Sequence, residues 1–354
     1  MRILIATRKA ALGSSHYLGA LLKGLAARGH ECHLTLRGGP SWGYLRELAG
    51  SCAALSPVAP LARLQVRGML VRVRPEVANV SLTSATVPVI RECLRAGVPV
   101  IATILARTRL ERFLPALEQC ETVVVLNRST FDFYSQQYPS LTPKMHLSNK
   151  LVYRQRYSPG EPRDDEGFNI ACVGRLSSTK GELALQAMEA AWLLREEIPG
   201  LTITVVGSGT RLGAARRRAG EMNQQARRQF ATVCGGVARP EEIIRGMDVV
   251  LGAGFSAVEA LACRCQVIGM GFQGLEGLVT AEGLQEGLAA NFGDSTATRA
   301  ATPQAIAEEI RRAYVCRRDG RDWTEQAFAG ALNPTVVLDD LERLLVMAAK
   351  NGAQ

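Results

Sequence analysis

The sequence predicts an α/β protein made of two doubly wound parallel-sheet domains. Short runs rich in β-branched residues alternate with segments of helical periodicity along most of the chain, as in parallel sheets covered by helices. A chain of 354 residues is too long for one ordinary hydrophobic core and suits two domains of similar size. The alternation is interrupted from Ser158 by the polar stretch SPGEPRDDEG, rich in proline and glycine. Such a stretch predicts the boundary between two domains.

The first predicted domain covers residues 1–158. Its first apolar run, RILIA at residues 2–6, predicts a buried parallel strand. A polar loop is expected after this strand, at the carboxyl end where open α/β sheets bind their ligands. That loop contains Gly13, Ser14, Ser15 and His16. A helix ending at Gly29 and the strands ECHLTL, ANVSL, PVIATI and TVVVL follow in order.

The predicted second domain covers residues 168–332, after a linker at residues 159–167. Its strands are expected at FNIACVG, LTITVVGSG, QFATVCGGV, MDVVLGAG and QVIGMG. The C-terminal segment, residues 333–354, contains the amphipathic pattern VVLDDLERLLVMAA. This pattern predicts a helix that crosses back toward the first domain.

Composition limits the classes of function. Aromatic residues make up only 5% of the chain, which argues against stacking platforms for single-stranded nucleic acid. The formal net charge of +9 suits anionic substrates, anionic membranes or nucleic acid, but no motif supports nucleic acid. Nine scattered cysteines without a C-x-x-C pair favour reduced thiols. With no signal-peptide pattern and no membrane-length apolar stretch, a cytoplasmic protein is expected.

The segment DVVLGAGFSAVEALA predicts an anion site in the second domain. A strand, a turn with Gly252 and Gly254, and a helix start with Ser256 as N-cap form half of a βαβ unit. Backbone N–H groups at such a helix start attract phosphate. Glu259, three residues after Ser256, is placed either to complete a capping box or to bind a ligand hydroxyl.

Two cations follow the first strand of the same domain. Arg175 and Lys180 lie in ACVGRLSSTKG, at the carboxyl end of that strand. A forked guanidinium and a lysine ammonium together would neutralise a diphosphate. Since the predicted anion site lies at the same edge of the sheet, both features are expected to converge. Two solvated surface cations are the alternative.

A glycine pair follows the next strand. Gly207-x-Gly209 resembles a dinucleotide loop, but the third glycine is Gly213 and no acidic residue ends QFATVCGGV. We therefore reject nicotinamide dinucleotide binding except as a minor alternative. The glycines are expected to allow close approach of the backbone to a nucleotide, with Gly236 and Val237 contacting its base.

With these motifs, residues 168–280 resemble the donor-binding domain of family 4 glycosyltransferases, which have the GT-B fold. Three segments carry the resemblance: GRLSSTKG from Gly174 to Gly181, the segment from Pro199 to Gly209, and the segment from Gly254 to Ile268. The first half resembles the family more weakly, through RGHE at Arg28 to Glu31 and through Asn149 and Pro159 near the domain junction.

The resemblance implies roles for particular residues. Arg175 and Lys180 would bind the diphosphate of a sugar nucleotide, and Glu259 would accept hydrogen bonds from its ribose hydroxyls. Two positions depart from the family pattern: Leu251 replaces a sugar-contacting glutamate, and Leu105 replaces a histidine near the reacting sugar. The backbone that would hold the nucleotide and its phosphates comprises Gly13, Gly207, Gly209, Gly236, Val237, Gly254, Phe255, Ser256, Ala257 and Val258.

The resulting hypothesis is a glycosyltransferase that moves a sugar from a nucleotide-diphosphate sugar, preferably a UDP-sugar, to a hydroxyl acceptor. Family membership implies retention of configuration and two Rossmann-like domains facing across a cleft. No D-x-D clamp occurs, so no metal and no cofactor is expected. The alternatives are a catalytically weak or inactive nucleotide-sugar-binding relative, and another GT-B enzyme such as a sugar-nucleotide epimerase.

The acceptor side is indicated only by basic clusters and one histidine. Arg107 and Arg109 follow a strand end of the first domain, where they could meet a small-molecule, glycan or lipid-linked anionic acceptor, or the inner face of an anionic membrane. His16 faces the acceptor or the donor phosphates, or is a structural histidine. The remaining arginine clusters, for which solvated faces are the alternative, are Arg63/Arg67/Arg72/Arg74, Arg216/Arg217/Arg218 and Arg227/Arg228.

Overall fold

The computed structural model describes residues 1–8, 12–36, 42–161, 167–318 and 323–352. The chain divides into two compact units. Unit 1 comprises Met1–Tyr153 and Leu332–Gln354, and unit 2 comprises Arg154–Ala331. Each is an α/β unit with its own sheet, in agreement with the predicted fold class.

The division falls before residue 158 because the segment after Tyr153 is bound to unit 2. Arg154 donates to both carboxylate oxygens of Glu325 at 2.9 Å. The guanidinium of Arg156 lies 2.8 Å from the carboxylate of Glu241. Of the predicted linker, residues 162–166 lie outside the described residues.

Unit 1 contains a seven-stranded parallel sheet in the order β3-β2-β1-β4-β5-β6-β7. Two strands, β3 and β7, were not predicted because each has only three or four residues and neither has a β-branched residue. The strands are β1 (Arg2–Ala6), β2 (Glu31–Leu36), β3 (Ser51–Ala54), β4 (Val77–Ser81), β5 (Val100–Ile104), β6 (Thr122–Val125) and β7 (Met145–Leu147).

Helices connect these strands, and the first differs from its prediction. The first six helices are α1 (Leu12–Ala27), α2 (Trp42–Leu48), α3 (Ala59–Val73), α4 (Val87–Arg95), α5 (Leu114–Leu117) and α6 (Arg128–Gln137). The polar loop predicted through Gly13, Ser14, Ser15 and His16 is wrong, because α1 already begins at Leu12. Small polar residues are tolerated in a first helical turn, whose N–H groups have no intrahelical acceptor.

Unit 2 contains a six-stranded sheet in the order β10-β9-β8-β11-β12-β13. All neighbouring pairs are parallel except β12–β13, which is antiparallel. The strands are β8 (Phe168–Val173), β9 (Leu201–Val206), β10 (Ala231–Gly235), β11 (Val249–Gly252), β12 (Gln266–Gly271) and β13 (Gly274–Leu278). The sequence predicted all of them except β13, whose two glycines weaken the strand pattern.

The helices of unit 2 are α7 (Ser178–Leu193), α8 (Leu212–Ala226), α9 (Pro240–Ile244), α10 (Phe255–Ala262), α11 (Leu284–Ala289), α12 (Pro303–Val315) and α13 (Trp323–Ala329). Helices α7 and α12 pack on one another and on the sheet. Their buried side chains, among them Met188, Ile306 and Ile310, form the core of the unit together with strand residues such as Leu251.

The last helix, α14 (Pro334–Asn351), belongs to unit 1 and packs on α1, β4 and β5. Its N-cap is Asn333, whose side chain accepts from the N–H of Thr335 at 3.0 Å.

Two residues just after α1 hold α14 through one carboxylate. Arg28 and His30 contact the two oxygens of Glu342 at 2.5 and 2.7 Å.

Candidate functional site

The loop between β8 and α7 places Arg175 at the carboxyl edge of the sheet. The loop is fixed by backbone bonds from Gly174 N–H to Val206 C=O and from Leu176 N–H to Ser208 C=O, each at 3.0 Å. Arg175 is exposed, and Lys180 is half-buried on the first turn of α7. The cations therefore sit on backbone that is anchored to the neighbouring strand.

Gly207 and Gly209 make that anchoring possible. A Cβ at Gly207 would lie 1.7 Å from the carbonyl oxygen of Gly174, and one at Gly209 would lie 2.3 Å from the backbone carbon of Leu176. These contacts are with the Arg175 loop of the chain itself, and the predicted close approach to a nucleotide stays a prediction. This packing accounts for both glycines without a bound nucleotide.

The helix start after β11 differs from its prediction. Gly254, with φ +62°, is the N-cap of α10, and the helix begins at Phe255. Ser256 is therefore inside the first turn, and its predicted role as N-cap of a capping box with Glu259 is wrong. The positive φ of Gly254, which glycine adopts readily, turns the chain into the helix before Ser256. Phe255 and Ser256 are half-buried, and Ala257 and Val258 are fully buried behind them.

Lys180 reaches the start of α10 through a carboxylate that the sequence did not single out. Its ammonium nitrogen lies 2.8 Å from both oxygens of Asp294. One of these oxygens lies 3.6 Å from the point where a Cβ would be if Gly254 had one. The other oxygen accepts a hydrogen bond from the N–H of Phe272 at 3.1 Å. Lys180 and the start of α10 therefore converge at the edge formed by β8, β11 and β12, as predicted, with Asp294 between them.

An exposed aromatic ring joins the two cations. Phe272 follows β12 and is 41% exposed. Its ring centroid lies 4.7 Å from the ammonium nitrogen of Lys180 and 6.0 Å from the guanidinium carbon of Arg175. A ring with cations at these distances contributes a weak cation–π attraction and leaves part of its surface open to a ligand.

Glu259 is buried beneath the same edge, 4% exposed. The hydroxyl of Tyr157, itself fully buried, donates a hydrogen bond to its carboxylate. Burial raises the pKa of Tyr157 strongly, and the negative charges of Glu259 and Glu241 raise it further. Tyr157 is therefore a neutral donor throughout the physiological range, and its hydroxyl holds the side chain of Glu259 in a fixed position.

Sequence spacing gave no signal for Asp294 or Tyr157. Asp294 is separated from Lys180 by 114 positions. Tyr157 lies just before the stretch taken as a linker. The position that departs from the family pattern in unit 2, Leu251, is fully buried in the core. Gly236 is exposed and Val237 is half-buried, both after β10 at the carboxyl edge of the sheet.

The residues predicted for the acceptor lie in unit 1. His16 is on α1 and is 6% exposed, while the side chains of Gly13, Ser14 and Ser15 lie outside the described residues. Arg107 is exposed after β5, and its guanidinium carbon lies 3.4 Å from the centroid of the Phe133 ring. The neighbouring Arg109 is exposed and Leu105 is half-buried. Leu105, Arg107 and Arg109 thus lie on one loop after β5, whereas His16 lies on α1.

Two other kinds of site are absent from the described residues. No three His, Cys, Asp or Glu side chains cluster there in a way that could hold a metal ion. No helix in the same part of the chain is long and apolar enough to cross a membrane.

Comparison with protein-family models and with curated proteins gave no match. Solved structures do match over nearly the whole chain. A glycosyltransferase from Rickettsia africae ESF-5 matches with a TM-score of 0.77 and 13% identity, covering 99% of both chains. Anabaena Alr3699/HepE in complex with UDP matches with a TM-score of 0.69 and 13% identity, covering 98% of this chain and 100% of that one.

A third similar structure is described as an epimerase. The putative UDP-N-acetylglucosamine 2-epimerase from Listeria monocytogenes matches with a TM-score of 0.66 and 8% identity, covering 96% of this chain and 94% of that one. These similarities confirm the predicted two-domain α/β GT-B fold. At such identities they establish the fold alone, and membership of family 4 stays a prediction.

Proposed function

We propose that this chain is a glycosyltransferase that binds a nucleotide-diphosphate sugar, preferably a UDP-sugar, on unit 2 and transfers the sugar to a hydroxyl acceptor. The observation that carries the proposal is the convergence of Arg175 and Lys180 with the start of α10 at one edge of the sheet. Two cations and a helix N-terminus form a site for an extended anion such as a diphosphate. That HepE is bound to UDP on the same fold supports this choice of donor.

The proposed chemistry follows from the charges. Departure of a nucleoside diphosphate leaves negative charge on the oxygen that was bonded to the sugar. Arg175, Lys180 and the backbone amides of the first turn of α10 would stabilise that charge in place. Such stabilisation needs no metal, and transfer with retention is proposed from the family resemblance.

Glu259 would bind the ribose hydroxyls of the donor. As a carboxylate it can accept two hydrogen bonds from a vicinal diol, and the Tyr157 hydroxyl fixes its orientation. Its 4% exposure leaves only a small part of its surface for contact with the ribose. Phe272 would cover one side of the diphosphate or the sugar.

A catalytically weak relative that still binds the donor is the second candidate. Two observations favour it: Leu251 fills the position of the sugar-contacting glutamate with a core side chain, and Asp294 places a negative charge beside the proposed phosphate site. An epimerase is supported by structural similarity alone, as to the Listeria protein.

Incubation of the purified chain with a panel of UDP-, GDP-, TDP- and ADP-sugars separates these functions. Binding would be followed by calorimetry, and turnover by release of the nucleoside diphosphate and by chromatography of the sugar product. Slow donor hydrolysis, or transfer to an added acceptor, supports the glycosyltransferase. Binding without either indicates the weak relative, an epimerised nucleotide sugar indicates the epimerase, and no binding contradicts all three.

A further inference from the structure

Helix α3 of unit 1 is apolar on two opposite faces. Its inner face, with Val66, Met69, Leu70 and Val73, is buried in the core of the unit. A helix that covers a core normally presents polar residues on its outer side. The outer side of α3 does not follow this rule.

The outer face carries an apolar stripe at helical spacing. Leu61, Leu64 and Val71 are 52%, 61% and 74% exposed, and Val58 at the N-cap is 52% exposed. Positions 61, 64, 68 and 71 are separated by three or four residues and therefore lie along one line of the helix, with Gly68 in the gap. The stripe is about 15 Å long, at 1.5 Å per residue.

Arginines lie on both sides of this stripe. With 3.6 residues per turn, Arg63 and Arg67 fall on one flank and Arg72 on the other. All three are exposed, as is Arg74 at the C-cap. The helix contains no Asp or Glu. The outer face of α3 thus combines aliphatic side chains in the middle with guanidinium groups along both edges.

The adjacent helix adds to the positive charge. Helix α4 packs on α3 and contributes exposed Arg91 and Arg95. Its one acidic residue, Glu92, is 2% exposed and is shared between Arg67, at 2.7 Å, and Arg95. Since that carboxylate is buried under two guanidinium groups, the surface presented outward remains strongly basic.

The stripe ends at a cleft. This cleft, of about 480 Å³, lies at the amino ends of β4 and β5 and begins at Val71 and Arg74. Its other walls are mainly apolar, from Pro75, Val98 and Pro99 among others. It lies at the opposite edge of the sheet from the loop that carries Arg107, because parallel strands share their direction.

We propose that α3 docks unit 1 onto an anionic lipid bilayer. Leu61, Leu64 and Val71 would enter the boundary between headgroups and acyl chains, while Arg63, Arg72 and Arg74 lie at the level of the lipid phosphates. Guanidinium groups on both sides of a convex aliphatic ridge match a layer of phosphates above hydrocarbon. A protein partner would need an apolar groove bordered by two acidic rows to fit the same ridge.

Co-sedimentation of the full chain with vesicles tests this proposal. We expect binding to vesicles of phosphatidylcholine and phosphatidylglycerol in equal amounts, weakened by salt, and little binding to phosphatidylcholine alone. Leu61→Ser with Leu64→Ser should reduce binding about tenfold or more. Arg63→Gln with Arg72→Gln should reduce it about 25-fold, since each arginine near an anionic surface contributes about a factor of five.

Two controls keep the test specific. Val315→Ser removes an aliphatic side chain of similar exposure, 71%, from α12 of unit 2, and Arg217→Gln removes an exposed arginine from α8. Both should bind vesicles as the unchanged chain does, and circular dichroism should show that all variants are folded.

Failure of the unchanged chain to bind the mixed vesicles overturns the proposal, as does equal binding by all folded variants. If the Leu61/Leu64 variant instead changes only the oligomeric state, the face is an interface between two copies and the lipid proposal is wrong.

Discussion

Lys180 and Asp294 form an ion pair in which both carboxylate oxygens lie 2.8 Å from the ammonium nitrogen. The pair stands at the start of α10, beside Gly254. An ammonium has three N–H donors, so two can hold Asp294 while the third remains available to a ligand oxygen. An anionic donor would thus approach a cation that already has a partner, and the charge of Asp294 opposes its binding.

Asp294→Asn should therefore tighten the binding of UDP. Removal of one negative charge next to the proposed phosphate position is expected to lower the dissociation constant about three- to tenfold. Calorimetric titration with UDP measures this change. Glu286→Gln removes the same charge from the exposed surface of α11 and should leave the affinity unchanged. Weaker binding by Asp294→Asn would mean that Asp294 orients Lys180 for the donor.

Gly207→Ala should destabilise unit 2. The added methyl group would lie 1.7 Å from the carbonyl oxygen of Gly174, so the loop that carries Arg175 has to move. A loss of about 2–4 kcal/mol in the free energy of unfolding is expected, measured by urea denaturation. Gly174→Ala is the matched control, because a Cβ there meets nothing within 4 Å. Equal stability of the two variants would contradict the packing described for this loop.

Tyr157→Phe should weaken UDP binding about five- to tenfold. The variant removes the hydroxyl that holds Glu259, leaving this buried carboxylate with one donor fewer. Tyr134→Phe in unit 1 removes a comparable hydroxyl, which donates to the carbonyl of Thr108 at 2.7 Å, and should not change UDP affinity. If Tyr157→Phe lowers only the melting temperature, Glu259 has a structural role and does not bind the ribose.

The attachment of α14 should depend on pH. Hydrogen bonds from His30 and Arg28 hold the pKa of Glu342 below its ordinary value of 4.5. Because the folded state lowers this pKa, the stabilisation is complete above the unfolded value and is lost as pH falls through the folded value. Glu342→Gln should lower the free energy of unfolding by about 1–2 kcal/mol near pH 7 and by much less at pH ~3. Urea denaturation measures both values. A cost that does not change with pH would show that this ionisation does not stabilise α14.

Much of the fold could be predicted from the sequence, because parallel strands buried on both faces have unmistakable apolar runs. RILIA, FNIACV and QVIGMG all became strands. The strands that were missed, β3, β7 and β13, are short, lack β-branched residues or contain glycines. Their pairing depends on neighbouring strands and not on a local pattern.

Part of the candidate site could also be predicted, namely the residues that directly follow predicted strands. Arg175, Lys180 and the α10 start follow strands, so their shared edge could be deduced from topology. Asp294 and Tyr157 reach that edge from loops far along the chain, and only tertiary packing brings them there. Phe272 directly follows β12, so its position at this edge follows from the same topology.

Two motifs that carry the family resemblance make contacts within the fold that the sequence does not reveal. Gly207 and Gly209 pack on the Arg175 loop, and Arg28 and His30 of RGHE bind Glu342 of α14. Such positions can support the fold even where the chemistry of a family is lost.

Titration of the chain with UDP, alongside Arg175→Gln and Lys180→Met variants, tests the central claim most directly. The unchanged chain should bind UDP, and each variant should bind it about 10- to 100-fold more weakly, because each loses a charge-assisted contact to the diphosphate. Uridine, which has no phosphate, should bind weakly to all three. If the chain does not bind UDP or another nucleoside diphosphate, or if both variants bind it as tightly as the unchanged chain does, Arg175 and Lys180 do not form a donor site.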